Sequence, residues 1–159
     1  MIKNVNLKQL AISLFISLGV GLLASILTAD SFMVYEGFTK PPLSPPAWLF
    51  PVVWTVLYIL MGISAYMIYQ SDNDFKYVAL TIYSVQLIFN FLWSIIYFNI
   101  GNVLFAFVWL VMLWLLIVAM IISFAQINKA SALLQIPYLI WVTFAGYLNL
   151  ALYVLNRSV

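Results

Sequence analysis

The chain has 159 residues, of which 67% are hydrophobic and 6% charged, with a formal net charge of +2 and a mean hydropathy of +1.14. A soluble domain carries about 25% charged residues, so this composition excludes a water-dissolved globule and describes an integral membrane protein. With no cysteine and no histidine, disulfides, thiolate chemistry and metal sites built on imidazole or thiolate are excluded, and no basic run points to nucleic acid.

A helix crossing about 30 Å of hydrocarbon needs roughly 20 apolar residues. Five stretches meet that requirement, at 9–29, 47–69, 77–98, 103–126 and 130–155. The expected fold is therefore all-α, with residues 1–159 forming one transmembrane domain, a single bundle of five transmembrane helices. The separators carry most of the charges, and three of the four connections are short enough to force antiparallel neighbours. Only the first connection, 30–44, is long enough to cover one end of the bundle. Lys3, Lys8, Lys76 and Lys129 fall on the side of the N-terminus, against Lys40 and Arg157 opposite, which predicts a cytoplasmic N-terminus. Lys3 and Lys8 ahead of an apolar run imitate a signal peptide, but the run is too long for an h-region and reads as a retained first span.

In the first span Ser13, Ser17, Gly21 and Ser25 stand four residues apart on one face. Such small side chains let helices approach closely, either inside the bundle or across a dimer. The next segment, Lys40-Pro41-Pro42-Leu43-Ser44-Pro45-Pro46, reads as extended, polyproline-like chain up to Pro45. Ser44 then suits an N-cap and Pro45 the first helical position of a span carrying Trp48, Trp54 and Tyr58. Trp48 has the place of an interfacial belt residue. In the third span Tyr83, Gln86, Asn90, Trp93 (or Ser94) and Tyr97 follow three- and four-residue steps, a polar stripe that should turn away from lipid. The fourth span, polar only through the indoles of Trp109 and Trp114, reads as wall. In the fifth, Tyr138, Trp141, Ala145 and Asn149 share a face, and Pro137 is expected to distort the helix near its middle.

No Asp, Glu, Lys or Arg lies well inside a span. That argues against proton relays, charge-coupled transport and ordinary acid–base or nucleophilic catalysis. The deep groups are instead aromatic rings and amides. From a rise of about 1.5 Å per residue, Trp54 lies roughly 10 Å, Asn90 roughly 12 Å, Asn149 roughly 9 Å and Ala145 roughly 15 Å below the surface under the first loop, with Trp141 deeper. Gln86 and Asn90 serve equally well as interhelical glue. Taken together, the three faces describe a cavity for a flat apolar ligand with a polar rim, and Lys40 at its mouth reads either as a solvated charge or as the partner of a ligand carboxylate. Residues 150–157 match the loose sterol-contact pattern, which adds a sterol to the candidate partners alongside the bilayer.

Several motifs carry a resemblance over nearly the whole chain. They are Lys40-Pro41 with Pro45-Pro46, Phe50-Pro51-Val52-Val53-Trp54 through Tyr58 to Gly62, Asn90-Phe91-Leu92-Trp93-Ser94, and Ile136-Pro137-Tyr138 through Trp141 to Leu148-Asn149. The chain resembles the TspO/MBR family, the tryptophan-rich sensory proteins related to the mitochondrial translocator protein. The resemblance implies a five-helix receptor for porphyrins and other hydrophobic small molecules, often a homodimer, in a bacterial cell membrane. It implies a ligand pocket at Trp54, Tyr58, Asn90, Trp93, Ser94, Trp141 and Ala145, with no metal and no cofactor. Lys40, Gln86, Tyr138 and Asn149 join the candidate ligand-binding residues from the reading of the faces. The resemblance also implies two alternatives, light- and oxygen-dependent porphyrin degradation with Trp54 and Trp141 as the catalytic indoles, and facilitated transport of hydrophobic ligands, so enzymatic activity stays open. The first loop departs from the family pattern at Val34-Tyr35 and Leu43.

Overall fold

The computed structural model describes residues 5–29 and 38–156. Lys3, Asp30, Val34, Tyr35, Glu36 and Arg157 lie outside the described residues. The elements are α1 (Leu7–Thr28), α2 (Leu49–Tyr69), α3 (Lys76–Ser94) running on into a π-helical turn (Ile95–Ile100), α4 (Val103–Ala125), a short α5 (Lys129–Leu133) and α6 (Ile136–Asn156). Among the described residues five segments are long and apolar enough to cross a membrane, the fifth formed by α5 and α6 together. This is the all-α five-helix bundle that the composition demands.

Asparagines start three of the helices. Asn6, Asn102 and Asn128 each accept a backbone N–H three residues on, from Gln9 at 3.2 Å, Phe105 at 3.0 Å and Ser131 at 3.2 Å. Each thereby satisfies a donor that a helix start leaves without a partner, which matters more where water is scarce. Gly101, with φ +68°, stops the π-helical turn and allows the immediate reversal into α4.

Around the bundle the order is α1, α2, α6, α4, α3, with α3 returning to α1. The tightest seam joins α1 to α2. A Cβ on Gly62 would lie 2.7 Å from Ser17 Oγ, and one on Gly21 would enter the Tyr58 ring. Ser13 Oγ donates to the Gly62 carbonyl at 2.7 Å across the same contact. The small-residue stripe of the first span is thus used inside the bundle, and its Ser13–Gly21 part is covered by α2.

Two sequence expectations are corrected. Ser44 does not cap α2: its hydroxyl and its N–H both turn back to the Pro41 carbonyl, at 2.8 and 3.3 Å, and Leu43 sits at φ +68°. The segment before Pro45 is therefore a closed turn and not extended chain. The helix begins at Leu49, whose N–H reaches the Pro46 carbonyl at 3.0 Å. In the fifth span, the break comes before Pro137 instead of at mid-helix. A residue preceding proline is disfavoured in the α region and proline needs no N–H in a first turn, so Pro137 falls at the start of α6 after α5 has ended.

The half of the bundle nearer the N-terminus is packed solid. Met61, Ile68, Leu113, Ile117, Met120 and Phe124 are fully buried there, and Ser64 and Ser131 exchange hydroxyl-to-carbonyl hydrogen bonds at 2.8 and 2.6 Å. The outward faces carry large apolar side chains, such as Phe15 and Ile140, that only lipid can cover.

Candidate functional site

The half nearer the first loop is hollow. Between α1, α2, the C-terminal end of α3 with its π-helical turn, and α6 lies a cavity of about 610 Å³. α2 supplies Phe50, Pro51, Trp54, Thr55 and Tyr58; α3 and the π-helical turn supply Trp93, Ser94, Tyr97 and Phe98; α6 supplies Ala145, Leu148 and Asn149. α1 supplies Gly21, Ala24, Ser25 and Thr28. Tyr58 takes the space at Gly21, and the room arises beyond that contact, where the walls carry only small side chains, at Ala24 and Ser25 on α1 and at Ala145 on α6.

Trp54 is the centre of the aromatic wall. Its ring lies 5.7 Å from Tyr58, 6.4 Å from Trp93 and 6.2 Å from Tyr138, centroid to centroid, and Trp93 in turn stacks on Tyr97 at 5.3 Å. Below it, a buried chain of hydrogen bonds fixes Tyr58. Tyr58 Oη donates to Asn90 Oδ1 at 2.5 Å, Asn90 Nδ2 donates to Tyr138 Oη at 2.9 Å, and Tyr138 Oη donates to Gln86 Oε1 at 2.9 Å. Every member is buried, so each bond is worth more than it would be in water, and the loss of one partner strands another.

The sequence-derived site residues divide accordingly. Trp54, Tyr58, Trp93, Ser94, Ala145 and Asn149 stand in the cavity wall. Asn90, Gln86 and Tyr138 lie behind it, tethering Tyr58 and backing Trp54. Trp141 is packed against Phe50, edge to face at 5.9 Å, and it is Phe50 that lines the cavity. Lys40 is exposed in the loop and is not part of the wall. Asn149 uses its Nδ2 to hold the Val103 carbonyl at the start of α4, at 2.8 Å.

Sequence reasoning missed α1 as a wall. Its small-residue stripe was read for helix packing only, although the stripe extends to Ser25 and Thr28, past the contact with α2. Thr28 returns its hydroxyl to the Ala24 carbonyl at 2.9 Å, and among the described residues no hydrogen bond holds the hydroxyl of Ser25 or Ser94. The π-helical turn, which sets Tyr97 and Phe98 in the wall, was equally unmarked.

Above the cavity, the described part of the first loop is strapped to α6. Tyr147 Oη donates to the Pro42 carbonyl at 3.0 Å, and Asn156 both accepts from the Thr39 N–H at 3.0 Å and donates to the Thr39 carbonyl at 3.1 Å. The arrangement offers flat aromatic surfaces and a few hydroxyls, with the buried Asn149 among them. Among the described residues no Asp, Glu, Lys or Arg lines the cavity, and aromatic faces of this kind suit a planar, mainly apolar molecule.

Residues 12–155 match the family model described as TspO/MBR family. The tryptophan-rich protein TspO of Chlorobaculum tepidum is 36% identical over 157 residues, covering 96% of this chain and 99% of that protein. The protein of the same name from Archaeoglobus fulgidus is 39% identical over 154 residues, covering 95% and 99%. The translocator protein of Bos taurus is 34% identical over 136 residues, covering 84% and 80%. A five-span bundle matched from its first span to its last by that family model is a multi-pass integral membrane protein, and the chain belongs to the TspO/MBR family.

Proposed function

We propose that the protein is a membrane receptor or sensor whose cavity binds planar tetrapyrroles and similar flat hydrophobic ligands. The observation that carries this reading is the cavity of about 610 Å³ with Trp54 in its wall, flanked by Tyr58 and Trp93. Its size falls within the roughly 300–1,000 Å³ of small-molecule sites. Relatives named as a tryptophan-rich sensory protein and as translocator proteins support a sensing or translocating role. The test is quenching of tryptophan fluorescence by protoporphyrin in lipid nanodiscs. Saturable one-to-one quenching is expected, with affinity lowered about tenfold in Trp54→Phe, the loss of one aromatic contact of about 1.4 kcal/mol. Equal affinity in both proteins contradicts the assignment.

A second reading, light-driven degradation of the bound porphyrin, is favoured by the position of Trp54 in the wall, where an indole can donate an electron to an excited guest. Illumination of the complex in oxygen is then expected to yield a pigment that Trp54→Phe does not produce. Equal bleaching in the two proteins reduces the reaction to free photochemistry.

A further inference from the structure

The cavity has a side opening. Along the antiparallel α1–α2 seam, Gly62 meets Ser17 and, one turn nearer the loop, Tyr58 meets Gly21. The next turn brings Ser25 level with Trp54 and Thr55. There the seam is no longer closed: Ser25, Pro51 and Thr55 all line the cavity, yet all three are exposed. The same wall runs on without interruption to Leu22, 64% exposed, and Phe15, 80% exposed, which lie on the outer face of α1. A surface shared by buried Tyr58 and lipid-facing Phe15 cannot belong to a sealed chamber.

Of the two hydroxyls at this doorway, Thr55 is hydrogen-bonded within its own helix and Ser25, among the described residues, is not. Thr55 returns its hydroxyl to the Pro51 carbonyl at 2.7 Å, so it can face hydrocarbon without an unmet donor. The described loop, by contrast, is held to α6 by the Tyr147 and Asn156 hydrogen bonds. Of the two boundaries, the loop strap is bonded, and among the described residues no hydrogen bond crosses the upper α1–α2 seam.

We infer that the ligand enters from the bilayer, passing sideways between α1 and α2 past Leu22, Ser25 and Thr55, and that these residues control access. The inference rests on the reading of the cavity as a ligand site. It names the guest further, as an amphiphile that first dissolves in the membrane, with its flat apolar body leading and its polar groups left near the headgroups.

Because the chain has no cysteine, Thr55→Cys accepts a bimane label at one position only. Leu43→Cys, on the exposed loop, is the control. In nanodiscs, bimane at position 55 is expected to be quenched by phospholipids brominated on the acyl chain and not by aqueous iodide. The label at 55 is expected to slow protoporphyrin association about tenfold, while the label at 43 leaves it unchanged. Iodide quenching at 55, or slowed association from the loop label alone, overturns the inference. If the unlabelled protein shows no saturable porphyrin binding, the proposed function fails, and lipid quenching at 55 still decides whether the cavity is open to the bilayer.

Discussion

The two halves of the bundle use the same kinds of residue to opposite ends. Toward the N-terminal side, small residues bring helices together: Ser13 and Ser17 dock on Gly62, Ser64 docks on Ser131, and large aliphatic side chains fill what remains. Toward the first loop, equally small residues on α1 and α6 face aromatic side chains that do not fill the space, and a cavity is left. Small side chains therefore do not make a cavity by themselves. They do so beyond the Gly21–Tyr58 contact, where Ala24, Ser25 and Ala145 line open space.

The largest effect is expected from breaking the closed half. Gly62→Val places new atoms near Ser17 Oγ and, at 3.0 Å, near Leu14 Cα, which is backbone and cannot step aside. A loss of about 3 kcal/mol is expected from overpacking, read by denaturant unfolding in mixed micelles; an unchanged midpoint contradicts the tight seam. Asn90→Leu acts at the boundary between the halves, leaving the hydroxyls of Tyr58 and Tyr138 without their shared amide. About 2 kcal/mol of stability is expected to be lost, together with weaker ligand binding, because Tyr58 is no longer fixed. Stability lost with affinity intact would remove Asn90 from any part in shaping the wall.

The sharpest contrast comes from one enlargement made twice. Ala79→Leu, at a position with no exposed surface in the closed half, is expected to destabilise by about 2 kcal/mol. Ala145→Leu, in the cavity wall, is expected to change stability by under about 0.5 kcal/mol and to reduce ligand affinity instead. Equal destabilisation at both sites means that the upper half is as closely packed as the lower.

Depth was legible in the sequence, because span limits and helical rise place Trp54, Asn90, Ala145 and Asn149 in one half of the bundle without any structure. The inward face of α3 was legible too, since lipid cannot satisfy Gln86 or Asn90. Direction around a helix was harder to read. Trp141 has the depth of a site residue, but it packs edge to face on Phe50, and of the two rings Phe50 lines the cavity. The role of α1 was hidden because Gly21 and Ser25 look alike in sequence, while one meets Tyr58 and the other meets open space. Ser44 and Pro137 misled for a local reason. A serine hydroxyl can turn backward to a carbonyl as readily as forward to a helix, and a proline inside an apolar run does not say on which side of it the chain breaks.

The most direct test is an experimental structure of the protein with protoporphyrin bound in nanodiscs. The account predicts the macrocycle inside the loop-side half, with one face on Trp54 and its edge against Gly21 and Ser25 of α1, and with Trp141 still packed on Phe50. A macrocycle seated on the outer, lipid-facing surface of the bundle, with the space beside Trp54 empty, would contradict it.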